Sequence, residues 1–328
     1  MLYFIKKKGG RTMLKSRGFY RGINLGGWLS QCDYSEDRLN NFITEPDFKK
    51  ISDWGLDHVR IPIDYNILEN EDGSYKEEGF GRIEKAIRLA KKYGLNVVID
   101  LHKTAGFSFD HGEQESGFFE SEALQERFYR LWEELAKRFG RWWDMAAFEL
   151  LNEVTEQRFI DTWNKVSQEC IKRIRQYAPD TLILVGSYWN NSPEAVKDLA
   201  EPYDDKVVYN FHCYAPLEFT HQGAHWTREI DQNARYSFEE LDIKPELFEK
   251  VFAAALDRAK SVGAEVYCGE YGAIENASPE DTLKWYKCIN SVFEKYGIAR
   301  AAWSYREMNF GISDSRMDRV REELVRYL

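Results

Sequence analysis

From residue 19 onward, short apolar runs alternate with amphipathic stretches at near-regular spacing, the pattern of strands alternating with helices. The apolar runs predict strands over 19–24, 58–61, 96–101, 146–151, 182–185, 207–211, 265–268 and 299–303. The stretches between them carry helix punctuation: Thr44 before Pro46 and Asp47 with a stop at Gly55, Ser192 before Pro193, and Ser278 before Pro279 with a stop at Gly297. Between 121 and 140, Leu124, Phe128, Leu131, Leu135 and Phe139 fall on one helical stripe. Eight strands alternating with helices predict an α/β fold with a parallel sheet, right-handed crossovers and closure into a (β/α)8 TIM barrel.

No Pro/Ser-rich linker interrupts the pattern, so residues 17–328 read as one domain. The segment 1–16 reads as a disordered leader outside the fold, with Met13 as an alternative start. One connection is anomalous. After the sixth strand, 215–245 carries aromatics, histidines and charges without periodicity, an extended loop suited to a lid or substrate-binding role.

Composition narrows the partner. A formal charge of −10 leaves no basic surplus for nucleic acid or an anionic membrane, whereas a neutral substrate meets no such penalty. Ten tryptophans and nineteen tyrosines offer flat faces for sugar rings. Five cysteines, odd in number and without C-x-x-C spacing, argue against a disulfide framework or a structural zinc site. There is no secretory h-region and no apolar run of membrane-helix length, and the expectation is a cytoplasmic monomer without cofactor.

The chemistry sits at strand ends. FELLNEV at 148–154 places Asn152 and Glu153 behind an apolar strand, and VYCGEYG at 266–272 places Glu270 behind another. A carboxyl in such a place is costly to desolvate unless hydrogen bonds or a task keep it there. The ends of barrel strands meet at one face, and the others supply Arg60, His102, His212, Tyr214 and Trp303. Plainer readings stand beside these: Arg60 as a barrel lock, His102 and His212 as metal ligands, Trp28 as packing, Trp226 as a loop anchor. The helical Trp132, Trp142, Trp143 and Trp163 default to core.

The constellation resembles glycoside hydrolase family 5, the barrel clan of cellulases and related β-glycanases. The likeness rests on GINLGGWLSQ at 22–31, DHVRIP at 57–62, FELLNEV, YNFHCY at 209–214, FTHQGAHW at 219–226, VYCGEYG and AAWSY at 301–305. It implies an endo-β-1,4-glucanase acting on β-glucan by a retaining double displacement, with Glu153 as acid/base and Glu270 as nucleophile. Glu270 would be held ionised by Arg60 and Tyr214, and Glu153 raised toward neutrality. Asn152 would bind the sugar 2-hydroxyl, His102 and His212 the −1 sugar or the carboxylates, Trp303 its stacking floor, and Trp28 and Trp226 further sugar contacts. No metal is implied. Lys103 departs from the second histidine of compact, free-standing cellulases of the family. RGINLGGWL at 21–29 also resembles the exo-β-1,3-glucanase branch, and mannanase and xyloglucanase remain alternatives. Outside the enzyme class stands a silent carbohydrate-binding barrel, which predicts the loss of one carboxylate.

Overall fold

Eight parallel strands close on themselves in sequence order. They are β1 (Arg21–Asn24), β2 (His58–Asp64), β3 (Asn96–Lys103), β4 (Ala146–Glu149), β5 (Leu182–Val185), β6 (Val207–Cys213), β7 (Glu265–Tyr271) and β8 (Ala299–Ala302). Closure is made by β1 against β8, with Arg21 opposite Arg300 and Ile23 opposite Ala302. The computed structural model describes residues 13–110 and 115–328. Among the described residues no helix is long and apolar enough to cross a membrane.

The helix signals work as chemistry predicts. Ser121 accepts a hydrogen bond from the Leu124 amide at the head of Glu122–Phe139, and Thr44 and Asp47 form a reciprocal capping box. Ser278 caps Pro279–Tyr296, which ends at Gly297 with φ of 69°. Pro193–Asp198, by contrast, is a 3-10 helix. The helices bury Trp132 and Trp163, whose indole N–H groups donate to the carbonyls of Leu150 and Gly186. Trp143 departs from the core expectation: it is exposed, with the Arg17 guanidinium over its ring.

The expected leader needs correcting at its end. Met13–Ser16 is a short helix that closes the floor of the barrel, and residues 1–12 lie outside the described residues. Leu14, Phe19 and Tyr20 pack with Val98, Leu182, Val208, Tyr267 and Ala301 inside the barrel. The Glu265 carboxylate accepts from the Met13 and Leu14 amides at 2.5 and 2.9 Å, satisfying donors that a helix start leaves open. The chain's last residue is nearby, since the Leu328 carbonyl accepts from Arg21 Nε at 2.7 Å and Arg300 Nη2 at 3.1 Å.

Above the floor, His58 bridges the Asp57 carboxylate at 2.6 Å and the Tyr267 hydroxyl at 2.7 Å. A Cβ on Gly22 would meet the His58 ring at 2.3 Å, so this position of β1 takes no side chain. The four strands β2, β3, β6 and β7 run past their predicted ends. His102, His212 and Glu270 therefore lie within strands, as Arg60 does, and Asn152, Glu153, Tyr214 and Trp303 just beyond them.

Candidate active site

The site is built around one buried guanidinium. Arg60 projects from the middle of β2 and is fully enclosed. Its Nε and Nη2 donate to the two oxygens of Glu149 on β4, each at 2.7 Å. Nη1 donates to Asn24 Oδ1 and to Glu270 Oε1, both at 2.8 Å, and Nη2 to Asn152 Oδ1 at 2.7 Å. Asp100 Oδ2 lies 3.0 Å from Nη2. Burial works against this cation, but Asp100, Glu149 and Glu270 outweigh it and hold the guanidinium protonated. All five N–H donors of the fork are thereby engaged.

Glu270 closes β7 under two donors, Arg60 on Oε1 and the Tyr214 hydroxyl on Oε2 at 2.9 Å. Glu153 stands opposite, beyond β4. Its Oε1 meets His212 Nδ1 at 2.7 Å and its Oε2 accepts from Asn190 Nδ2 at 2.9 Å. Burial raises the Glu153 carboxyl above its ordinary range, against the Asn190 hydrogen bond, which lowers it. His212 Nδ1 is also 3.6 Å from Glu270 Oε2. One donor atom each of Glu153, His212 and Glu270 lies within 4.8 Å of the other two.

The histidines are kept neutral. Burial lowers both His102 and His212 to about 4, with Arg60 adding to the effect. His102 Nδ1 meets Asp100 Oδ2 at 2.5 Å, while burial raises that carboxyl to about 7 despite Arg60. Asn191 Nδ2 approaches His212 Nε2 at 3.3 Å, so Nε2 is the acceptor and the ring proton sits on Nδ1, facing Glu153.

The His102 ring lies parallel to the Trp303 indole at 5.9 Å between centroids. Gly26 makes room for that indole, since a Cβ there would come within 2.8 Å of it. The Trp303–Ser304 peptide is cis. Trp303 belongs to an apolar cluster with Ala224, Ile274 and Phe310, against which Tyr214, Met308 and the half-buried Trp226 pack, and this brings the long loop after β6 to the site. Lys103 pairs with Asp110 at 2.6 Å, and Gln31 donates to the same carboxylate at 3.0 Å. The loops after β1 and β3 are thus tied together beside His102.

Of the predicted residues, Glu153, Glu270, Arg60, His102, Asn152, His212, Tyr214, Trp303 and Trp226 come together. Trp28 does not. It is 5% exposed in the core, and its indole N–H is taken by the Leu39 carbonyl at 2.9 Å. Sequence reading missed the carboxylates and amides that hold the set: Asn24, Asp100, Glu149, Asn210, Asn190 and Asn191. Asn210 donates to Glu149 Oε1 at 2.8 Å and accepts from the Gly269 amide at 2.9 Å, linking β4, β6 and β7. A charged residue inside an apolar strand, as Asp100 and Glu149 are, was the available signal.

A closed (β/α)8 barrel presenting two facing glutamates from β4 and β7, with aromatic rings around them, is the architecture of a glycoside hydrolase. The chain belongs to glycoside hydrolase family 5, the cellulase family, whose sequence pattern matches residues 21–309. It is 59% identical to cellodextrinase A of Ruminococcus flavefaciens over 288 residues, 88% of this chain and 86% of that protein. It is 38% identical to endoglucanase C of Acetivibrio thermocellus over 337 aligned positions, 94% of this chain and 98% of that one. In three dimensions it matches endoglucanase Cel5A of Thermotoga maritima with a TM-score of 0.81 at 28% identity, covering 95% and 98% of the two chains.

Proposed function

We propose that the protein hydrolyses internal β-1,4 bonds of β-glucans with retention of configuration, Glu270 acting as nucleophile and Glu153 as acid/base. The observation that carries this is the approach of their carboxylate oxygens to within 4.8 Å. Retaining enzymes hold the pair about 5–5.5 Å apart, and inverting ones leave about 6.5–9.5 Å for a water. In the first step Glu270 forms a bond to the anomeric carbon while Glu153 gives its proton to the leaving oxygen. In the second, Glu153 takes a proton from water as the water oxygen displaces Glu270. The donors on Glu270 suit an oxygen that must carry charge before it attacks and again once it is displaced, and the buried Glu153 suits one that must hold a proton for the leaving group. Arg60 takes the Asn152 amide oxygen, which leaves the amide nitrogen as the end able to donate to a sugar hydroxyl.

Glu153, His212 and Glu270 are spaced to hold a cation, but His212 Nδ1 already serves Glu153, and Arg60 lies against Glu270. A dication there would sit beside a buried guanidinium, which supports a proton-handling reading. The two curated relatives support a glucan, and the one at 59% identity, named a cellodextrinase, favours short soluble cellodextrins among the substrates.

Side-by-side assays on barley β-glucan, carboxymethylcellulose, cellotetraose and mannan, with proton NMR of the first product, test the proposal. Turnover of the glucans with the β-anomer appearing first is expected, whereas an initial α-anomer or a preference for mannan sinks it. Trp189, 47% exposed and adjacent to Asn190, adds a second test. Its neighbour Asn190 reaches the proposed acid/base, and if the indole supplies a platform for the departing sugar, Trp189→Ala lowers kcat/KM on cellotetraose about tenfold while sparing an activated aryl cellobioside.

A further inference from the structure

After β5 the chain makes a turn that L-residues avoid. Trp189, Asn190 and Asn191 are successive residues with φ of 51°, 53° and 59°, all left-handed. Such a conformation is strained for non-glycine residues, and asparagine is among the few side chains that tolerate it. The turn is held by the Asn190 amide donating to the Val154 carbonyl at 3.0 Å and by the Ser192 amide donating to the Tyr188 and Trp189 carbonyls at 3.2 and 3.1 Å. The strained backbone delivers one amide side chain to the reacting carboxyl, Asn190 to Glu153 Oε2, and a second to that carboxyl's neighbours, Asn191 to His212 and the Asn152 carbonyl.

We propose that Asn190 is a positioning residue that sets the proton affinity of Glu153 from the oxygen opposite His212. This rests on the assignment of Glu153 as acid/base. With the His212 proton on Nδ1, Oε1 is an acceptor, and Oε2 is left to carry the proton for the leaving group. An amide N–H aimed at Oε2 favours the ionised form on that same oxygen. It opposes burial, which pushes the carboxyl toward its neutral form. The other charged or titratable groups facing Glu153 are Arg60 from β2, Asp100 and His102 from β3, Asp110 from the following loop, His212 and Tyr214 from β6, and Glu270 from β7. None of them reaches Oε2 among the hydrogen bonds of the described residues, so Asn190 has no substitute there.

The test is the alkaline limb of kcat/KM, which reports loss of the acid's proton in the free enzyme. Asn190→Gly keeps the left-handed turn and removes the donor; Asn190→Asp keeps the turn and replaces the donor by a like charge. Relative to the parent, the limb is expected to move up by about half a pH unit or more in Asn190→Gly, and further in Asn190→Asp. Thermal unfolding verifies that both variants are folded. Coincident limbs in the three folded proteins, or a downward shift, overturn the inference. Glu153→Gln assayed with an activated aryl cellobioside and a cello-oligosaccharide separates this from the underlying assignment. Loss on the oligosaccharide but survival on the aryl substrate upholds Glu153 as acid/base whatever Asn190 does; equal activity on both removes that assignment itself.

Discussion

Glu270→Gln is expected to lower kcat on β-glucan by about 10⁴-fold or more while leaving the fold in place. The loss follows from the chemistry: an amide oxygen cannot form the glycosyl ester through which retention proceeds. The fold survives because Arg60 keeps two other carboxylates, Glu149 and Asp100, and the Tyr214 hydroxyl keeps an oxygen to donate to. Kinetics and thermal unfolding on the same preparation check both halves. Near-normal turnover would remove Glu270 from the nucleophile's place, and a collapse of stability would show that its main task is to neutralise Arg60.

Arg60→Met is expected to have the largest effect on stability, about 3–5 kcal/mol, because it strands Glu149, Asp100 and Glu270 in a buried space with no cation. Arg60→Lys should recover part of the fold but little activity, since one ammonium with three donors cannot reach the partners of a five-donor fork. The sign of the pH dependence can be worked out. Burial already raises Asp100 to about 7 and Glu149 above its ordinary range, and removing Arg60 raises both further. A carboxyl whose folded pKa exceeds its unfolded one stabilises the fold fully below the unfolded pKa and loses that contribution as pH rises through the folded one. The deficit of Arg60→Met is therefore smaller at pH 5 than at pH 8, as denaturant midpoints of variant and parent at both pH values would show. A deficit independent of pH would mean that the carboxylates do not carry it.

The two proposed reacting glutamates were legible in the sequence because each closes an apolar strand inside a distinctive motif. The barrel was legible because strand and helix alternate without a gap. The supporting shell was not. Arg60 and Glu149 are 89 residues apart, and no local pattern pairs them; only closure of the sheet puts β2 and β4 on one interior. Strand ends were misjudged for a related reason. Pro62 sits inside β2 opposite Asp100, where a proline ordinarily argues for an end, and polar His102, His212 and Glu270 read as loop when they line a polar upper barrel. Trp28 was misplaced because a tryptophan after a Gly-Gly turn looks the same from sequence whether its ring faces sugar or Leu39. The asparagines of the left-handed turn gave a faint signal in the pair Asn190-Asn191, but nothing local to show that they aim at Glu153.

The floor of the barrel has a practical consequence. Met13 rests on Glu265 and the Leu328 carbonyl on Arg21 and Arg300, so both ends of the described chain lie at the face opposite the glutamates. A surface linkage, an affinity handle or a fused module attached at Leu328 would leave from the face opposite the glutamates and keep the cleft open to long polymers. Immobilisation through Leu328 therefore turns the cleft away from the support.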